Sequence, residues 1–169
     1  MELVTNYAEF ITITCLNWEP LLADEENKKV IIDSFRFLSR EKRAFIWAFV
    51  LMETHFHVIW QIRGDHKRAD VQRDFLKYTS QRILRNLRNG KSPLLEKLQV
   101  DAKDRKYQVW ERSSLSIELR RGKVIEQKVN YIHMNPVKAG LCKLPEEYFY
   151  SSARHLEFNE DIWDFLNED

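Results

Sequence analysis

Residues 44–62 read AFIWAFVLMETHFHVIWQI, two apolar runs parted by Glu53 and Thr54. A bilayer-spanning helix needs about 20 mainly apolar residues, and Glu53, Thr54, His55 and His57 interrupt this stretch. Two buried strands, Ala44–Met52 and His55–Ile62, joined by a short turn, fit its length and its β-branched and aromatic content. Side chains alternate faces along a strand, so His55 and His57 share one face and Phe56 points to the other.

Upstream, FITITCLNW at 10–18 alternates Ile with Thr and predicts a strand that Pro20 ends. Asp24 is placed to cap a helix from Glu25 to about Lys42, with Val30, Ile31, Phe35 and Leu38 at helical spacing. Downstream, Asp70 opens a second helix to about Leu87, closed by Asn89-Gly90 and Pro93. Tyr107–Arg112 and Ser116–Leu119 read as two short strands, a hairpin or extended arm around Ser113-Ser114. A third helix is expected from about Lys123 to Met134, stopped by Asn135-Pro136 because the residue before proline disfavours the α region. This order predicts an α+β sandwich of the ferredoxin-like type: a central antiparallel sheet, helices on one face, and the histidine pair on a central strand.

The 169 residues, 44% hydrophobic, suit one globular domain over 1–169, with a short acidic segment from about 155. Two distant cysteines, Cys15 and Cys142, argue against a disulfide framework or a cysteine zinc site. The N-terminus lacks the basic and apolar blocks of a leader, so the expected location is cytoplasmic, with no membrane partner. The net charge of +1 conceals an asymmetry: residues 63–91 hold nine Lys or Arg against three Asp, and residues 143–169 hold two against eight acidic residues. A basic block of this kind is either a phosphate footprint or a solvated helix face.

His55 and His57 have the spacing of a divalent-metal pair, and equally that of two strand histidines with packing roles. Tyr131 and Asn135, four apart, share one face of the third helix, away from the apolar Val124, Ile125, Val129 and Ile132. A rim tyrosine that packs its ring has the same pattern. His133 points about 200° away from Tyr131 at 100° per residue and is not counted as a ligand.

Together these segments are distinctive. THFHVIW at 54–60 and YIHMNPVKAG at 131–140 resemble the single-tyrosine HUH transposases, most closely the REP-associated tyrosine transposases. RKYQVWERSSLSIEL at 105–119 and LPEEYFYSSA at 144–153 are similar to that family as well, so the resemblance runs through nearly the whole chain. It implies His55 and His57 as metal ligands and Tyr131 as nucleophile. Asn135 would be the third ligand, where insertion-sequence transposases carry Gln. The implied cofactor is Mg²⁺ or Mn²⁺, and the implied reaction is cleavage and rejoining of DNA through a 5′-phosphotyrosine. A phenol needs activation for this, and the sequence does not identify the activator.

The implied partner is single-stranded DNA with hairpin or palindromic elements, bound by a monomer or a homodimer. Arg63, Lys67, Arg68, Arg73 and Lys77, with Arg105, Lys106 and Arg112 of the arm, are candidate phosphate contacts. Trp110 is a candidate stacking platform, or equally a core residue. Two other readings stand beside this one: a hairpin-binding regulator of DNA or RNA that no longer cuts, and a replication-type nicking enzyme.

Overall fold

Alternating Ile and Thr give strand β1, Ala8–Thr14, its apolar residues buried on both faces. The computed structural model describes residues 6–167; the leader reading at Met1–Thr5 and the acidic Glu168 and Asp169 lie outside the described residues. Asp24 accepts a hydrogen bond from the Glu26 backbone N–H at 2.8 Å and starts helix α1, Glu25–Arg40. Strands β2, Ala44–Leu51, and β3, His55–Ile62, follow. Then come helix α2, Arg68–Asn89, the single turn α3, Leu94–Lys97, strand β4, Leu115–Leu119, helix α4, Gly122–Lys138, and helix α5, Ala153–Phe158.

The four strands form one sheet in the order β2-β3-β1-β4 with every neighbouring pair antiparallel. This is the expected α+β sandwich, and the histidine pair lies on a central strand. Helices α1 and α2 cover one face. There Phe35, Phe49, Phe56 and Phe75 pack ring to ring, joined by Trp60, Trp110, Trp163 and Phe165. The opposite face carries Phe10, Ala48, Val50 and Ile59, against which α4 lays Ile132. No helix among the described residues is long and apolar enough to cross a membrane.

Several local expectations need correction. Residues 16–18 form a tight turn and not the end of β1. Of the hairpin and the extended arm expected for residues 107–119, the structure has the arm. Its backbone runs along the free edge of β1, where Glu111 N–H donates to Thr14 O and Leu16 N–H to Val109 O, both at 2.8 Å, before β4 pairs with Ala8–Thr12. A long-range partner edge outcompeted the local turn.

Helix α4 does not stop at Asn135. It continues through Pro136, whose missing N–H forfeits one bond two residues before the end of a helix that buries Ile132 and Pro136. The last turn is closed by Leu141 N–H to Pro136 O and Gly140 N–H to Val137 O, with Gly140 at φ 77° as the left-handed cap.

The acidic C-terminal segment also contributes to the core: Trp163, Phe165 and Leu166 are buried against the α1 face. Ser151 and Leu166 bridge to Val50 and Ile46 of β2, so the chain end covers an otherwise open sheet edge.

Candidate active site

The register of the sheet builds the site from its middle. His57 lies opposite Thr12 of β1, and His55 opposite Thr14. His57 Nδ1 meets the Thr12 hydroxyl at 2.7 Å, and His55 Nδ1 meets the Thr54 hydroxyl at 3.0 Å. The two imidazole centroids are 5.0 Å apart. With each Nδ1 tied to a hydroxyl, each ring keeps its Nε2 for another partner; pinning one ring nitrogen in this way fixes the orientation of a metal-binding histidine.

Burial pushes His57 down to about 3, helped by His55 and by the Lys128 ammonium. Burial lowers His55 too, opposed by a hydrogen bond to Asn135. Both rings are therefore neutral at physiological pH, the state in which imidazole binds a cation.

Helix α4 supplies the other half. Lys128, Tyr131, Asn135 and Lys138 are spaced by three, four and three residues and share one helix face. The Asn135 amide nitrogen sits 3.4 Å from His57 Nε2. The Tyr131 ring lies 5.5 Å from the His57 ring and 5.7 Å from Phe10, both edge-on. Tyr131 remains 40% exposed, so part of its ring faces solvent. Two ammonium groups flank it: Lys128 Nζ is 5.4 Å and Lys138 Nζ 5.7 Å from its ring centre. His133 faces away, as its helical offset requires, with Nε2 2.8 Å from the Ser152 hydroxyl.

Among the described residues no group of three or more His, Cys, Asp and Glu could hold a metal ion. The donors here are two imidazoles and an amide. This set fits a divalent cation that keeps open positions, provided the Asn135 amide presents its oxygen, a half-turn about its last torsion. All three donors are neutral, and the Lys128 and Lys138 ammonium groups stand close by.

Sequence reasoning missed Thr12 and Lys138. Thr12 becomes visible only once β1 and β3 are in register, and Lys138 only once α4 is seen to pass Pro136.

The proposed DNA contacts are dispersed. Arg68 is held by the buried Glu9 carboxylate at 2.7 Å, and Arg73 by Asp70 and Asp74. Arg63 stacks on Phe45 at 4.1 Å, and Lys67 is an exposed residue at the start of α2. Arg73, Lys77, Arg105 and Arg112 line a groove of about 840 Å³ between α2 and residues 104–112, which none of the four site side chains lines. Lys106 sits over the Tyr107 ring at 5.5 Å.

The structure bears out the core role of the two open to Trp110. It is 5% exposed, its Nε1–H donates to Thr79 Oγ1 at 3.0 Å, and its ring packs on Phe56, so its faces are filled by the core and offer a base no platform.

Two solved structures show the same fold. One is a REP-associated tyrosine transposase bound to a REP hairpin, similar over 99% of this chain and 89% of that one, with a TM-score of 0.65 and 19% identity. Another, described as a candidate transposase from Deinococcus radiodurans R1, covers 77% of this chain and 91% of its own, with a TM-score of 0.52 and 14% identity. No family model and no curated protein matches the sequence. The chain has the fold of the transposases that its two motifs resemble.

Proposed function

We propose that this chain is a single-tyrosine HUH transposase-like enzyme that cuts and rejoins single-stranded DNA beside hairpins. The observation that carries the reading is the meeting of Tyr131 with His57, His55 and Asn135 on one face of the sheet. Nothing in ordinary packing requires a half-exposed phenol, two neutral imidazoles and an amide to converge there. The hairpin complex of the similar transposase structure supports hairpin DNA as the substrate class. Because all four side chains belong to one chain, the centre needs no second copy to be complete.

In this reading the Tyr131 oxygen attacks the scissile phosphorus in line. The bond from phosphorus to the 3′-oxygen breaks, the 3′-oxygen leaves as a hydroxyl after taking a proton, and a 5′-phosphotyrosine forms. A 3′-OH of a second strand then attacks this ester and returns the phenol, so rejoining needs no external energy source. His55, His57 and the Asn135 oxygen would hold Mg²⁺ or Mn²⁺, which when bound supplies Lewis acidity to the phosphate. Lys128 and Lys138 supply positive charge beside the phenol, which favours the phenolate and attracts the phosphate. The threonine hydroxyls of Thr12 and Thr54 keep the two imidazoles oriented.

The test is a labelled hairpin-bearing strand incubated with protein and Mn²⁺ and resolved under denaturing conditions. Wild type gives a protein–DNA adduct, and Tyr131→Phe, His57→Ala or chelator removes it. Tight hairpin binding with no adduct, across several hairpins, contradicts the enzyme and favours a binding regulator.

A further inference from the structure

The turn that leaves β1 is built in an unfavourable backbone shape. Asn17 has φ 53° and Trp18 has φ 58°, two consecutive non-glycine residues in the left-handed region. The Glu19 N–H bonds back to Leu16 O at 3.1 Å, so both central residues of this four-residue turn have the φ sign that glycine or asparagine normally supplies. Asparagine tolerates that region; a bulky tryptophan there is an outlier. The turn is nevertheless held firmly. Cys15 and Leu16 before it and Leu21 and Leu22 after it are buried, and the Glu111 carboxylate accepts from the Asn17 N–H at 2.7 Å.

The result of this strain is an indole set out in solvent. Trp18 is 61% exposed, whereas Trp60, Trp110 and Trp163 are buried and Trp47 is half-buried. Among the described residues its ring meets that of His55, edge-on at 5.6 Å. Strained residues that surrounding structure holds in place concentrate where function needs them, and a large exposed aromatic beside a phosphate-directed centre has an evident use.

We propose that Trp18 is a base-stacking platform, taking an unpaired nucleobase of a single strand next to the phosphate presented to His55 and Tyr131. This rests on the reading of the chain as a single-strand DNA enzyme and adds the residue that grips the strand. Stacking is tolerant of base identity because every base has a π face, so the platform holds the strand and leaves sequence choice to other contacts.

The experiment compares wild type, Trp18→Gly and Trp18→Phe on a fluorescein-labelled hairpin with a short single-stranded tail, by anisotropy and by tryptophan emission. Wild-type emission is quenched as DNA binds, and DNA shields the indole from acrylamide. Trp18→Gly binds about tenfold more weakly and loses that quenching, and Trp18→Phe recovers most of the affinity. Because glycine suits the left-handed turn, Trp18→Gly also melts at the same temperature or a few degrees higher, the opposite of what a packing residue does. Wild-type-like affinity in Trp18→Gly, with the Tyr131 adduct still formed, overturns the platform and leaves the enzyme reading standing. Lower affinity that follows a lower melting temperature, without recovery in Trp18→Phe, overturns it as well. Wild-type protein that neither binds the strand nor forms the adduct overturns both.

Discussion

Phe56 and His57 are neighbours on one strand, and their side chains stand in two different environments. Phe56 is fully buried on the helix-covered face among Phe35, Phe75 and Trp110. His57 faces α4, tied to Thr12, Asn135 and the Tyr131 ring. The aromatic layer behind the sheet fixes the strand, and the polar layer in front uses that rigidity to hold ring nitrogens in place. A site set on a central strand inherits the stability of a core it does not belong to.

Substitution at these two positions breaks the comparison most sharply. Phe56→Ala leaves a cavity among aromatic rings and costs about 3–5 kcal/mol, seen as a large fall in the denaturant midpoint. His57→Ala lowers the cleavage rate by about two to three orders of magnitude, as loss of a preorganised electrostatic group does. It lowers the midpoint by less than Phe56→Ala, since the imidazole removed is smaller and one bond, to Thr12, goes with it. If the two variants lose stability equally, the division between the faces is wrong.

The next effect concerns how α4 is anchored. His133→Ala removes the bond to Ser152, which itself donates to Phe49 O and accepts from Phe49 N–H in β2. Ser152 keeps both Phe49 partners, so the loss is that of one hydrogen bond, about 0.5–1.5 kcal/mol, and cleavage falls with it because Tyr131 and Asn135 ride on the same helix. Lys128→Met and Lys138→Met act on charge alone. At 5–6 Å each cation contributes on the order of 1 kcal/mol, about tenfold in rate, and Lys→Arg restores most of it. Single-turnover cleavage at fixed DNA saturation reads both.

A smaller effect appears on acidification. Burial holds His57 near 3 and His133 near 4, both below the ordinary 6.5. The unfolded chain therefore binds these protons first. The stabilising contribution is complete above about pH 6.5 and drains away as pH falls toward these depressed values, while the acid midpoint of His133→Ala moves lower. A melting temperature flat from pH 7 to pH 4 contradicts this.

The motifs and the β2–β3 hairpin were legible because they are local: alternation, an Asp cap and a two-residue break decide them within a short window. The His55–His57 pair needed only strand parity. Trp110 was left between two roles, and Pro136 and the C-terminal aromatics were not legible, for one shared reason. Each is settled by a distant surface: Trp110 by Phe56 and Thr79, Pro136 by burial of α4 against the sheet, and Trp163 and Phe165 by the exposed edge of β2. Exposure of Trp18 was not legible either, since it depends on a strained turn that no propensity predicts.

Most direct of all is the chemistry of residue 131 itself. Wild-type protein is incubated with the hairpin strand and Mn²⁺, digested with trypsin and nuclease, and examined by mass spectrometry. The proposed mechanism predicts a nucleotide ester on Tyr131 within the peptide Val129–Lys138, and no such mass in Tyr131→Phe. A nucleotide on any other side chain, or cleaved strands with no covalent peptide, contradicts it.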